Sequence, residues 1–117
     1  MGRFIGAGQF RGGNQAFAQE VIEVTSNITL ELDSLNYVST SAAARTLTLP
    51  QFPSAGNFVD IIDVNGTFNT NNCIVLPSGD GSTVGGFSDN LTLNLNRANI
   101  RLQYSAGINN WFVTQLI

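Results

Sequence analysis

The stretch from Arg45 to Leu76 decides the fold, and it reads RTLTLPQFPSAGNFVDIIDVNGTFNTNNCIVL. Leucines alternate with threonines over residues 46–49, which is typical of a half-buried strand. Residues 58–64 are almost continuously apolar, which predicts a central strand covered on both faces. Prolines bound the loop that starts at Pro50, and Asn65-Gly66 is a strong signal for a tight hairpin. The stretch therefore predicts strand, loop, strand, turn and strand, in that order.

The same period-two alternation continues on both sides of this stretch. Turn signals rich in Gly, Pro, Asn and Ser recur about every eight to twelve residues, which is the spacing of an antiparallel sandwich or barrel. Residues 20–117 are therefore predicted to form one all-β domain. Its expected fold is an antiparallel β-sandwich or barrel, jelly-roll-like, with about eight to ten short strands.

The alternation also assigns one face of each strand to the core. The apolar side chains predicted to be buried are Ile28, Leu30, Leu47, Leu49, Phe58, Ile62, Ile74, Leu91, Leu93, Ile100, Leu102, Trp111 and Val113. Cys73 lies in the run Cys-Ile-Val-Leu, where a small buried hydrophobic residue is the expected role. Because it is the single cysteine, an internal disulfide is excluded.

Residues 1–19 differ in composition from the rest of the chain. Glycines make them a poor helix or strand, yet large apolar side chains recur at Phe4, Ile5, Phe10 and Phe17. Burying these side chains contributes roughly 6–12 kcal/mol, whereas ordering the whole segment costs about 20–35 kcal/mol. The segment is therefore predicted to be an extended, Gly-rich docking arm that gains backbone pairing from a partner, most simply at a neighbour's sheet edge.

Charge is sparse and unevenly distributed. Charged residues make up 11% of the chain, against about 25% in typical soluble domains, and this suits a surface held against other proteins. Residues 1–19 carry +2 from Arg3 and Arg11, while the remainder carries −5. A basic arm on an acidic body indicates a separate partner surface for the arm. Two arginines are too few for nucleic-acid affinity, and no segment approaches the roughly 20 apolar residues that span a bilayer, so neither partner is predicted.

Residue types that enzymes depend on are scarce. The chain has no His and no Lys, which excludes Ser-His and Cys-His pairs, Schiff bases and phosphate-loop lysines. Asp60 and Asp63 are three residues apart on one predicted strand, so they face opposite sides and form no acid–base pair. Asp80 lies in Ser-Gly-Asp-Gly-Ser without calcium-loop spacing, so it is predicted to be a plain turn residue. We therefore expect no catalytic activity, no metal and no cofactor.

One aromatic outside the arm is predicted to make a surface contact. Phe52 lies between Pro50 and Pro53 in a loop, whereas Trp111 lies inside an apolar strand and is expected in the core. The predicted partner-binding residues are Arg3, Phe4, Ile5, Phe10, Arg11, Phe17 and Phe52.

The order of several short motifs resembles a β-module of tailed-bacteriophage virion proteins. The motifs span roughly Ser41 to Val113 and include AARTLTLP at 43–50, PSAG at 53–56, FVDIIDV at 58–64, IRLQY at 100–104 and NWFV at 110–113. That module occurs in capsid decoration (cement), head-fibre and tail-fibre proteins, which often assemble as trimers. The resemblance therefore implies a virion structural protein.

Two roles remain open under this resemblance. The chain carries one module plus an arm and lacks shaft repeats, which favours a capsid decoration or cement protein on the capsid surface. Its implied partners are the major capsid protein and copies of itself, as a homotrimer. The alternative is a tail, neck or fibre component involved in attachment, which recognises a host-surface glycan through loop aromatics such as Phe52 or Phe87.

Overall fold

A computed structural model describes residues 20–86 and 90–116, and these residues form strands, turns and bends with no helix among them. The strands are β1 (Glu20–Val24), β2 (Ile28–Thr29), β3 (Ser34–Val38), β4 (Arg45–Thr48), β5 (Phe58–Asp63), β6 (Cys73–Leu76), β7 (Thr83–Val84), β8 (Leu91–Leu93), β9 (Asn99–Ser105) and β10 (Asn110–Leu116). The prediction of an all-β domain with about eight to ten short strands is confirmed for this part of the chain. The predicted arm, residues 1–19, lies outside the described residues.

The first six strands alternate between two sheets. The six-stranded sheet has the order β1-β3-β5-β9-β10-β7, and the four-stranded sheet has the order β2-β4-β6-β8. Each return of the chain to a sheet adds a strand parallel to the one before it. The chain therefore winds as three stacked coils, each with one strand in either sheet. The coils are β1–β2, β3–β4 and β5–β6.

The prediction of antiparallel, jelly-roll-like pairing is wrong for most of the described strands. Antiparallel pairing joins β5 to β9, β6 to β8 and β9 to β10. The remaining pairs are parallel, namely β1–β3, β3–β5, β2–β4, β4–β6 and β7–β10. Side chains alternate with the same period of two in both arrangements, so the alternation carries no information about strand direction.

The turn at residues 65–66 shows how a predicted hairpin becomes a crossover between the sheets. The Asp63 carboxylate at the end of β5 accepts four backbone hydrogen bonds of 2.9–3.2 Å, from the N–H groups of Gly66, Thr67, Phe68 and Arg97. Burial raises the pKa of Asp63, but these four hydrogen bonds together hold its pKa below the usual value. The loop wraps around this buried carboxylate and leads into β6 of the other sheet instead of folding back on β5.

Both sheets contribute to a single buried cluster. Its members are Val24, Leu30, Val38, Leu47, Leu49, Val59, Ile61, Phe68, Cys73, Val75, Val84, Ala98, Ile100, Leu102, Tyr104 and Trp111. The two sheets therefore face each other across a common core, in a sandwich-like arrangement of mixed sheets. Cys73 is buried within it, as predicted.

The predicted core is partly right. Six of the predicted side chains are buried in the cluster, namely Leu30, Leu47, Leu49, Ile100, Leu102 and Trp111. Three more are partly buried and pack against it, namely Ile28, Leu91 and Leu93. The predictions for Phe58 and Ile62 in β5 and for Ile74 in β6 are wrong, because the buried positions are the neighbouring ones in each strand. Val113 is 43% exposed, and the pairing of β10 with β9 shifts register directly after it.

Candidate partner-binding surfaces

Most of the predicted partner-binding residues lie outside the described part of the chain. These residues are Arg3, Phe4, Ile5, Phe10, Arg11 and Phe17. The seventh, Phe52, lies in the loop between β4 and β5, and its side chain is 79% exposed. No other large apolar side chain among the described residues is exposed to this extent.

The backbone around Phe52 is held by a second loop, residues 77–82. The Phe52 N–H donates to Asp80 Oδ2 at 2.9 Å, and the Gln51 side-chain amide donates to the Ser78 carbonyl at 3.3 Å. Asp80 Oδ1 in turn accepts from the N–H and hydroxyl of Ser82 at 3.0 and 2.6 Å. Asp80 is therefore a turn residue, as predicted. Hydrogen bonds from Ser78, from Ser82 and from the Phe52 N–H hold its pKa far below the usual value.

Phe52 also adopts an unusual backbone conformation. Its φ is +55°, a left-handed value that is rare for a bulky residue and costs of order 1 kcal/mol or more. The contacts to Asp80 and Ser78 maintain this conformation and direct the loop outward. An exposed aromatic side chain on a rigid, strained backbone is typical of a binding residue.

A second surface lies on the six-stranded sheet, on the face turned away from the core. We call it the outer face, and its apolar side chains are Val21, Leu35, Tyr37, Phe58, Ile62 and Phe112. Val21 is 54% exposed and Phe112 is 42% exposed, and the others are half-buried. Val21 lies beside Leu35 and Tyr37 lies beside Ile62 in neighbouring strands, while Phe58 and Phe112 lie on the two sides of Gln103.

The centre of the outer face holds a charge pair that is neutralised within the chain. Arg101 on β9 donates from Nε to Asp60 Oδ1 at 2.7 Å and from its terminal nitrogen to Oδ2 at 2.8 Å. The Arg101 guanidinium also lies 4.1 Å from the centre of the Phe58 ring. A bidentate pair stacked on an aromatic ring exposes little net charge to a partner. Away from Glu23, which lies beside Tyr37 on the edge strand β1, the outer face is therefore suited to contact with an apolar protein surface.

The sequence contains a signal for the outer face. The nearly continuous apolar run at residues 58–64 predicts a strand covered on both faces, and β5 is indeed central in its sheet. The core covers Val59 and Ile61, but the described residues place no second layer over the opposite side. Among the described residues, β5 therefore presents an apolar surface on the side opposite the core.

A groove of about 400 Å³ lies at one end of the outer face. The Phe112 ring and Gln103 line it, together with glycines at 56 and 107. The Gln103 side-chain amide donates to the Gly56 carbonyl at 3.0 Å, which holds Gln103 in place. No charged residue lines the groove, so it suits a small uncharged ligand.

The described residues offer little for metal binding or nucleophilic chemistry. Among them, no group of three or more His, Cys, Asp or Glu side chains lies close enough to hold a metal ion. Burial, followed by the nearby Asp63 charge, raises the pKa of the Cys73 thiol to about 12, so this thiol stays protonated and unreactive. In this same part of the chain, no helix is long and apolar enough to cross a membrane.

Neither the models of known protein families nor the curated proteins include a match to this chain. The candidate surfaces are therefore defined by their geometry, which is an exposed aromatic residue on a strained loop and an apolar, uncovered sheet face.

Proposed function

We propose that this chain is a structural protein of a bacteriophage virion, a capsid decoration or cement protein that docks on the major capsid protein and stabilises the head. The observation that carries the proposal is the outer face, where apolar side chains flank a charge pair neutralised within the chain. The motif order between Ser41 and Val113, which resembles phage virion β-modules, supports the virion setting.

The proposed protein has two parts and two kinds of partner. A domain of residues 20–117 carries the outer face and the Phe52 loop, and residues 1–19 form an extended arm. Copies of the chain assemble as a homotrimer and bind the major capsid protein. The arm contributes Arg3, Phe4, Ile5, Phe10, Arg11 and Phe17 to these contacts, and its Gly-rich composition and positive charge support this role.

A comparison of the free energy gained by burial with the cost of association favours several contacts acting together. Covering the remaining exposed area of the six apolar side chains on the outer face contributes roughly 3–6 kcal/mol. Association costs about 4–15 kcal/mol in lost translational and rotational freedom. The outer face alone therefore supports weak binding at most. Phe52, the arm and the multiplicity of a trimer supply the remainder.

A binding assay on capsids that lack the chain tests this proposal. We expect the wild-type protein to co-sediment with capsids, and we expect Phe112→Ser to bind at least about 10-fold more weakly, because it removes an exposed ring from the outer face. Leu95→Ser is the matched control, since Leu95 is a comparably exposed apolar residue, at 56%, in the loop after β8. Equal binding by the two variants, or full binding after removal of residues 1–19, would contradict the proposal.

The groove beside Phe112 supports one alternative, a tail, neck or fibre component that recognises a host-surface glycan. An exposed ring beside uncharged polar groups suits the apolar face and hydroxyls of a sugar. Phe87, another predicted glycan contact, lies outside the described residues. Antibody labelling of intact particles separates the two functions, because label on the head supports decoration and label on the tail or fibres supports attachment.

A further inference from the structure

One end of the stacked coils is covered by further strands, and the other end is open within the described part of the chain. In the last coil, β5 and β6 pair with the antiparallel strands β9 and β8. In the first coil, β1 and β2 each have one neighbouring strand, β3 and β4 respectively. A sheet edge of this kind adds a further strand readily, because its backbone groups lack partners in the sheet.

The backbone groups that face the open edge of β1 can be identified. The Val24 carbonyl accepts from the Ser39 N–H at 2.9 Å, so the backbone groups of Val24 face β3. Successive residues of a strand direct their N–H and C=O groups to opposite edges. The N–H and C=O groups of Val21 and Glu23 therefore face away from β3, where an added strand would meet them.

The open edge is acidic. Glu20 and Glu23 lie on β1, and Glu31 is close enough to Glu20 that its hydrogen bond and its charge raise the pKa of Glu20. Residues 1–19 contain two arginines and no acidic residue. If two β1 edges paired, the glutamates of both copies would be brought together in one short ladder, and their like charges would repel. The basic arm has the complementary charge and ends at Glu20, the first residue of this edge strand.

We propose that the open edge of β1 binds residues 1–19 of a second copy of this chain as an added strand. The alternative within one chain is a hairpin that turns at Gly12-Gly13. In that hairpin Arg11 lies beside the turn, roughly 20 Å from Glu20 at about 3.3 Å per residue. The arm of a second copy can instead place Arg11 directly beside Glu23, with Phe10 on the opposite face of the added strand.

This arrangement extends the proposed function, since it rests on the proposed self-association and specifies its contact. The arm of one copy meets the β1 edge of the next, so the two contacting surfaces differ. Such a head-to-tail contact closes into a ring when the rotation between copies permits, and a ring of three satisfies the proposed trimer.

Disulfide cross-linking of the full-length chain tests the contact. Arg11→Cys and Glu23→Cys proteins are mixed in equal amounts and oxidised, and we expect a disulfide-linked heterodimer on a non-reducing gel. The native Cys73 is buried and does not interfere. Arg11→Cys mixed with Thr92→Cys is the control, because Thr92 lies on β8, an edge strand of the other sheet. Preferential linkage to position 92, or no linkage above that control, overturns the proposal.

A single chain that carries both Arg11→Cys and Glu23→Cys identifies the source of the arm. We expect covalent oligomers from this variant. An intrachain disulfide in a protein that remains monomeric would show that the arm folds back on its own β1, and it would overturn the contact between copies.

Charge reversal provides a second measurement that does not depend on cysteine chemistry. Sedimentation velocity should show self-association weakened at least about 10-fold by Glu23→Arg, and largely restored when Arg11→Glu is added, because the double variant recreates an opposite-charge pair. Unchanged association of the Glu23→Arg protein, or no rescue by the second substitution, contradicts direct contact between the arm and this edge.

Capsid binding by the wild-type protein is scored separately from these measurements. If the interchain cross-link forms but the protein does not bind capsids, the edge contact stands and the cement function is refuted. A chain that binds capsids but forms no such cross-link refutes the edge contact alone.

Discussion

Replacing Asp63 by Asn should destabilise the domain far more than a change of one atom suggests. The Asn side chain keeps one acceptor oxygen, which can serve Gly66 and Thr67, but its NH₂ group then faces the N–H groups of Phe68 and Arg97. Each buried donor left without an acceptor costs about 1–3 kcal/mol. Because the Arg97 site is only partly buried, we expect a loss of about 2–5 kcal/mol, a large share of the roughly 5–15 kcal/mol typical of a folded domain.

Urea unfolding followed by the fluorescence of the buried Trp111 measures this loss. Asp33→Asn is the matched control, because Asp33 is exposed and accepts longer bonds of 3.2 Å from Asn57 and Phe58. Its φ of +59° is one that Asn tolerates, so we expect a loss below about 1 kcal/mol. If both variants lose the same stability within about 0.5 kcal/mol, the Asp63 carboxylate does not organise the crossover loop.

The wild-type protein and Asp63→Asn should also differ in how their stability depends on pH. The pKa of Asp63 lies below its unfolded value of about 3.9. Its contribution is therefore fully present above about pH 4 and is lost as the pH falls through the lower folded pKa. The wild-type protein should lose this increment of stability between neutral and acidic pH, whereas Asp63→Asn should not.

Three further predictions concern packing, reactivity and strain. Ile61→Ala should lower the free energy of unfolding by about 2–5 kcal/mol and Ile62→Ala by clearly less, since Ile61 is buried in the core and Ile62 lies on the outer face. Equal losses of stability in urea unfolding would show that the assignment of β5 side chains to the two faces is wrong. Cys73 should react with a thiol reagent at neutral pH only after unfolding, because its pKa is raised to about 12; rapid labelling of the folded protein would contradict its burial. Phe52→Gly should leave stability unchanged or raise it by up to about 1 kcal/mol by relieving the positive φ while weakening capsid binding; a substantial loss of stability would show that the ring packs on the domain.

The strands themselves were predictable from sequence because alternation reports directly on a sheet with one buried face. Leu47 and Leu49 alternate with threonines, and both are buried. The register of β5 was not predictable, because its run is apolar on both faces and either face could be assigned to the core. Val59 and Ile61 are buried together with a carboxylate, Asp63, and no hydrophobicity pattern assigns an aspartate to a core.

Strand direction depended on information that local sequence lacks. Asn65-Gly66 is a strong hairpin signal, and Gly66 does adopt a left-handed φ of +70°. The direction of the chain after it is set by Asp63, whose carboxylate gathers N–H groups from this loop and from Arg97, far along the chain. A contact between residues so distant in sequence produces no recognisable pattern in the local sequence.

Phe52 was accessible to sequence reasoning because it lies between Pro50 and Pro53 in a loop, and its ring is indeed the most exposed large apolar group among the described residues. The outer face was not identified, because it combines side chains from strands that are distant in sequence. Only the parallel register between β3 and β5 brings Tyr37 beside Ile62 and Leu35 beside Asp60.

The stacking of coils also determines how this chain reaches its folded state. Asn36 donates to a carbonyl 24 residues away, and Asp60 pairs with Arg101 across 41 residues. In the described sheets, β9 and β10 are the one pair of neighbouring strands joined by a short turn. Closing such long loops before any contact forms is slow, so refolding should take milliseconds to seconds. β5 gains its second neighbouring strand only when β9 pairs with it. During synthesis, the six-stranded sheet therefore cannot form fully until nearly the whole chain has left the ribosome, so folding follows synthesis.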